Sequence, residues 1–209
     1  MRFERHRLVY LDPARWDGIL AAYPALHAIP MVVDWVGSGR PLIARRPICD
    51  DMAGRVPLGL PLPPSLGKQR LAFAVQPDAI VSDALPPLLS DALREAPAAW
   101  QATIAALVVL DPETRCFGSL AWEHLTGLPY LSETSDLDLV WRVSKADAAA
   151  RLVTALARID AAAPMRLDGE IVTPKGLAVQ WRELAFAAPE LLTKAADGNC
   201  MIARAKLFA

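Results

Sequence analysis

The chain has 209 residues, with 22 basic and 23 acidic side chains, a formal net charge of −1, 54% hydrophobic and 22% charged residues. This composition excludes a disordered, polyacidic or polybasic chain, and the near-neutral balance argues against bulk nucleic-acid binding. The length suits one domain or two small ones, enough to bury roughly 70% of the unfolded surface without covalent staples.

Residues 1–80 read as a small β-rich domain. Asp12-Pro13 opens a helix that runs to about residue 23, with proline at its first position. Short apolar runs bounded by Gly and Pro follow at 30–36, 41–44 and 71–75, and each reads as a strand. Gly37-Ser38-Gly39 marks a turn. From 40 to 70 the basic residues Arg40, Arg45, Arg46, Arg55, Lys68 and Arg70 are opposed only by Asp50 and Asp51, among six prolines. Two readings stay open there. One is an irregular solvated loop with scattered arginines. The other is an anion-binding lobe that meets a phosphorylated ligand.

Residues 81–97, inside a stretch carrying Pro77, Pro86, Pro87 and Pro97, are expected to link two lobes. Residues 98–209 then alternate helix and strand signals. Residues 98–110 have helical composition, broken by Asp111-Pro112. Residues 114–117 form a short strand ending at Gly118-Ser119, and 120–126 a helix stopped by Gly127 and Pro129. Strict alternation over 136–143 (DLDLVWRV) gives a strand. Ser144 and Asp147 are spaced as a capping box for a helix whose apolar face is Leu152, Val153, Leu156 and Ile159. Strands at 165–173 and 177–183 flank Pro174-Lys175-Gly176, a hairpin. This order fits an α/β or an α+β sheet covered by helices, and α+β, with a mixed sheet in the second domain, is the expected fold.

No apolar run reaches the ~18 residues of a membrane helix, and MRFERHRLVYLD lacks the apolar core of a signal peptide. Cys49, Cys116 and Cys200 are odd in number and form no CxxC, so neither structural zinc nor a disulfide framework is expected. Free thiols suit a cytoplasmic protein. His6, His27 and His124 show no metal-ligand spacing.

The informative segment is 117–142, FGSLAWEHLTGLPYLSETSDLDLVWR. In a strand, Asp136, Asp138, Val140 and Arg142 share one face, and Leu137, Leu139, Trp141 and Val143 the other. Two carboxylates side by side repel unless a cation sits between them, and paired hard oxygens select Mg²⁺ or Mn²⁺. Arg142 is the competing neutraliser. Gly118-Ser119, at a strand-to-helix junction, offers free N–H groups and a hydroxyl as a phosphate cradle. A third carboxylate comes from 165–172, where Asp168 and Glu170 share a face; Asp168 is preferred because Gly169 leaves room beside it. The set suits phosphoryl or nucleotidyl transfer. Trp122, Trp141 and Trp181 are expected in the core, Cys116 as packing, and Glu123-His124 as a surface contact.

This GS…DxD…D pattern resembles the polymerase-β-like nucleotidyltransferase superfamily. The longer strings GSLAWEHLTGLPYL, SDLDLVWRV and LDGEIVTPKGLAVQWRE, with RHRLVYLDPARW and VPLGLPLPPSLGKQR, resemble the malonate decarboxylase holo-acyl carrier protein synthases, the phosphoribosyl-dephospho-CoA transferases. The resemblance implies transfer of a prosthetic group from 2'-(5''-triphosphoribosyl)-3'-dephospho-CoA to a serine of the acyl carrier protein subunit, with release of diphosphate. It implies one metal on Asp136 and Asp138, and a second on Asp138 and Asp168, with Asp168 also a general base. It implies terminal phosphates at Gly118 and Ser119. Arg45, Arg46, Lys68 and Arg70 would meet the remaining phosphates or an acidic carrier. A different nucleotidyltransferase, or a non-catalytic nucleotide-binding partner, is the alternative.

Overall fold

A computed structural model describes residues 3–48, 51, 53–67, 69–195 and 198–209. The chain divides into two compact units, Met1–Leu85 and Pro86–Ala209. Among the described residues no helix is long and apolar enough to cross a membrane.

The first unit contains β1 (Leu8–Leu11), α1 (Pro13–Leu20), α2 (Pro30–Val33), β2 (Leu42–Ala44), β3 (Val56–Pro61), β4 (Arg70–Val75) and β5 (Ile80–Ala84). Its sheet is antiparallel, in the order β4-β3-β2-β1-β5. Asp12 starts α1 by accepting the Ala14 N–H at 2.9 Å, and Pro13 pre-sets the first helical φ. The helix turns Trp16 and Leu20 inward, and the Trp16 indole donates to the Val32 carbonyl at 2.9 Å.

Three sequence expectations change here. Residues 30–36 form a helical turn followed by further turns, not a strand. Pro30 sits at the helix start, and the Val33 N–H bonds back to Ile29 and that of Asp34 to Pro30. The Pro-rich stretch hides β3, whose Val56, Leu58 and Leu60 are buried on one face while Pro57, Gly59 and Pro61 occupy the other, with Gly59 also buried. Residues 81–97 are not free chain. Strand β5 pairs with β1, and the remainder joins the second unit through Leu89, Ala92 and Ala96, all buried in its core.

The second unit contains α3 (Gln101–Leu110), β6 (Arg115–Phe117), α4 (Gly118–Thr126), β7 (Leu137–Arg142), α5 (Ala146–Ala162), β8 (Leu167–Val172), β9 (Ala178–Gln180), α6 (Trp181–Ala185), β10 (Glu190–Lys194) and β11 (Asn199–Ala203). The mixed sheet runs β11-β10-β9-β8-β7-β6, parallel only between β7 and β8. Helix α5 makes that crossover, burying Leu152, Val153 and Leu156. Each such leucine contributes about 2 kcal/mol on burial. Leu137, Leu139 and Trp141 of β7 and Leu167 and Ile171 of β8 form the helix-covered face. The Trp141 indole donates to the Thr114 hydroxyl at 3.0 Å.

The α+β class stands, as do the core tryptophans: Trp122, Trp141 and Trp181 are all buried. The capping box at Ser144 does not form: Lys145 precedes α5 without a side-chain cap, and Asp147 instead pairs with Arg151 one turn on. The strand expected over 177–183 stops at Gln180, where a side-chain cap starts α6. The final hairpin, β10 and β11, was not legible in the sequence pattern.

Candidate active site

Strand β6 leads directly into α4 through Gly118, which has φ +68°. The register sets Phe117 opposite Asp138 across β6 and β7. The glycine is required twice. Its left-handed backbone disfavours any L side chain, and a Cβ there would lie 1.8 Å from the Asp138 carboxylate Oδ2. Backbone and carboxylate are therefore pressed together at the start of a nine-residue helix. The first-turn N–H groups of a helix lack intrahelical acceptors and carry the positive end of its dipole. Ser119 lies in that first turn.

The parallel pairing places Asp138 beside Asp168. Both project from the face opposite Leu137, Leu139 and Trp141, because side chains alternate and a parallel register keeps partners on one face. Asp168 is tied in place. Its Oδ1 accepts the Gly169 N–H at 2.9 Å and the Gln180 side-chain amide at 2.7 Å. The alternative carboxylate, Glu170, lies opposite Val140 and is buried in an ion pair with Lys194 at 2.8 Å. Of the two, Asp168 is the neighbour of Asp138. The space at Gly169 serves packing: a Cβ there would meet the Trp141 ring at 2.6 Å and the Leu139 carbonyl at 2.8 Å.

Asp136 precedes β7, and its carboxylate lies 4.0 Å from the Arg166 guanidinium. Both side chains are well exposed, so this contact contributes little. Arg182 forms a two-pronged bond to Asp160 at 2.7 and 2.7 Å and stacks over Trp181 at 4.4 Å. The Asp160 hydrogen bond raises the Arg182 pKa most, with smaller upward contributions from the fields of Asp168 and Asp136. Arg142 closes β7, opposite Val172.

The donors decide whether a divalent cation fits. Asp138 and Asp168 present hard oxygens from adjacent strands, and the missing Cβ at 118 is what gives the Asp138 carboxylate its place. That pair suits Mg²⁺ or Mn²⁺. Asp136 is not gathered with it: among the described residues no three His, Cys, Asp or Glu side chains are arranged to hold a metal ion.

The basic candidates lie in the first unit and differ in what they already do. Arg45 is committed internally, pairing with Asp51 at 2.7 and 2.5 Å and donating to the carbonyls of Arg46, Leu58 and Phe73. The Arg45 hydrogen bond holds the Asp51 carboxyl below its ordinary range. Its geometry is that of a strut. Arg46, in contrast, buries its Nε with no hydrogen-bond partner. Arg70 opens β4 opposite Pro61 and is exposed. Lys68 lies outside the described residues.

Two family models cover the chain in succession. One, described as the phosphoribosyl-dephospho-CoA transferase MdcG N-terminal domain, matches residues 4–87; the other, the corresponding C-terminal domain, matches residues 88–205. The chain belongs to the phosphoribosyl-dephospho-CoA transferase family. A relative with that name from Bradyrhizobium diazoefficiens is 41% identical, covering 96% of this chain and 90% of its own. One from Xanthomonas campestris pv. campestris is 36% identical, covering 98% and 96%, and one from Pseudomonas putida is 30% identical, covering 90% of each chain. No solved structure matches.

Within this family member, sequence reasoning missed Gln180 and Arg182. Gln180 reads only as the last polar residue before Trp181, and its bond to Asp168 spans twelve positions. Glu123 and His124 have local work. Glu123 accepts the N–H groups of Tyr130 and Leu131 at 2.9 and 2.8 Å, and His124 meets Glu95 at 3.2 Å. Burial pushes the Cys116 thiol up to about 12, which removes it as a nucleophile.

Proposed function

We propose that this chain transfers the phosphoribosyl-dephospho-CoA group from 2'-(5''-triphosphoribosyl)-3'-dephospho-CoA to a serine of an acyl carrier protein, that of malonate decarboxylase, by nucleotidyl-transfer chemistry in the cytoplasm. The observation that carries this reading is the pairing of Asp138 with Asp168 against Gly118 at the start of α4. Family membership supplies the group transferred, and this pair supplies a place for the reaction.

The serine Oγ forms a bond to the α-phosphorus, and the bond from that phosphorus to the β-phosphate bridging oxygen breaks. Diphosphate leaves with the bonding electrons. Asp168 Oδ2, which takes neither of the bonds made by Oδ1, accepts the serine proton. The first-turn N–H groups of α4 and the Ser119 hydroxyl hold the leaving phosphates, where the helix dipole favours negative charge. Mg²⁺ or Mn²⁺, held by Asp138 and Asp168, would neutralise charge on the triphosphate and its leaving group. Among the basic residues of the first unit, Arg46, Arg70 and Lys68 are the candidates to meet an acidic carrier.

The test is direct. The protein is incubated with apo carrier protein, the triphosphoribosyl donor and Mg²⁺, and the carrier is weighed by mass spectrometry while diphosphate is assayed. Carrier mass should rise by one phosphoribosyl-dephospho-CoA group per diphosphate released. Asp138→Asn and Asp168→Asn should each slow transfer by ~10²-fold or more. A second reading, a non-catalytic nucleotide-binding partner, draws on Arg166 beside Asp136 and on the absence of a three-carboxylate cluster among the described residues. It predicts full function in Asp138→Asn.

A further inference from the structure

We infer that Gln180 is the positioning residue of this site, orienting Asp168 by tying one of its carboxylate oxygens to the start of α6. The inference rests on the reading of Asp138 and Asp168 as the cation-holding pair.

Gln180 ends β9 and caps α6. Its side-chain oxygen accepts the Arg182 N–H, and its amide nitrogen donates to Asp168 Oδ1 at 2.7 Å. The two ends of the amide are chemically opposite, so only one orientation serves. A flipped amide would set oxygen against the Asp168 carboxylate and NH₂ against the Arg182 N–H. This also explains an amide at 180 in place of a carboxylate, because glutamate has no donor to offer.

The support is rigid at its far end. Arg182 fastens the same helix start to the end of α5, through Asp160, and to the beginning of β8, through the Leu167 carbonyl at 3.1 Å. Leu167 is the residue immediately before Asp168, so Arg182 of α6 and its cap Gln180 grip β8 at consecutive positions. With Oδ1 holding two N–H donors, Asp168 keeps Oδ2 as the oxygen to meet a ligand. Partners one bond removed from a metal ligand typically change metal affinity 10- to 100-fold when lost.

A cap and a positioning residue are separated by shortening the side chain. Gln180→Ser keeps a hydroxyl that caps α6 well but falls short of Asp168. Gln180→Asn is a second shortened cap, should the serine variant fold poorly. The probe is Mn²⁺ alone, titrated into the full chain with the free ion counted by electron paramagnetic resonance, beside thermal unfolding and the KM and kcat of transfer. The expected result is ~10-fold weaker Mn²⁺ binding in both shortened variants at an unchanged melting temperature, with kcat lowered more than the donor KM. Mn²⁺ affinity equal to wild type in these variants, while Asp138→Asn loses it, overturns the role of Gln180 and leaves the carboxylate pair standing. Wild-type Mn²⁺ affinity in Asp138→Asn overturns the pair itself, and the inference with it.

Discussion

Gly118→Ala perturbs backbone and site together, and a second glycine separates the two effects. Gly118 and Gly127 have nearly the same left-handed φ, +68° and +66°. A Cβ at Gly127 meets nothing within 4 Å, whereas at Gly118 it lies 1.8 Å from Asp138 Oδ2 and 2.7 Å from its Cγ. Backbone strain costs each alanine variant about 1–2 kcal/mol. For a chain of this size each kcal/mol lowers the melting temperature by roughly 2–4 °C. Relieving the contact at 118 requires a further displacement. Opening 1.8 Å to the 3.0 Å below which real Cβ contacts essentially never fall moves the carboxylate by about 1.2 Å. Asp138 turns away more cheaply than the strand shifts, so the excess stability loss is small and the damage falls on the site. A misplacement of about 1 Å costs on the order of 10²-fold in rate, or about 2.7 kcal/mol in the barrier. Melting curves and diphosphate release are measured on both variants. The expected result is similar melting temperatures, near-normal rate in Gly127→Ala and about 10²-fold loss in Gly118→Ala. A wild-type rate in Gly118→Ala, or equal losses in the two variants, refutes the reasoning.

Three further outcomes follow from the structure. Gly169→Ala sets a Cβ 2.8 Å from the Leu139 carbonyl, a backbone atom with nowhere to go, and should lower the stability measured in urea by about 1–3 kcal/mol; an unchanged midpoint contradicts the packing against Trp141. The Arg182 hydrogen bond lowers the Asp160 pKa from its ordinary 3.8, so the pair's stabilisation is complete above that value and is lost as pH falls through the depressed native one. Asp160→Asn should therefore be less stable than wild type at neutral pH and converge with it in acid; a constant gap across the titration contradicts this. Cys116, buried with its pKa near 12, should resist iodoacetamide in the native protein at pH 8 while exposed Cys200 reacts, as peptide mapping would show. Labelling of Cys116 at the rate of Cys200 would show that the sheet opens.

Local chemistry made much of this molecule legible from its sequence. Asp12-Pro13 wrote the start of α1, and the alternation of DLDLVWRV separated Asp138 from the core-facing Leu137, Leu139 and Trp141. Both signals are complete within a few residues. Where the signal was ambiguous, packing decided: prolines masked β3, whose buried face shows only against its neighbours, and Pro30 turned an apolar run into a helix. The candidate site divides the same way. Gly118, Asp138 and Asp168 stand out as residue types in a pattern, but which carboxylate joins Asp138 is a matter of register. The α5 crossover brings Asp168 alongside Asp138, and it sends Glu170 to Lys194. The fastening of Asp168 by Gln180, and of Gln180's helix by Asp160, joins positions far apart in the chain through bonds with no local period. Periodicity reports which face a side chain occupies, and only the folded sheet determines which side chain it meets there.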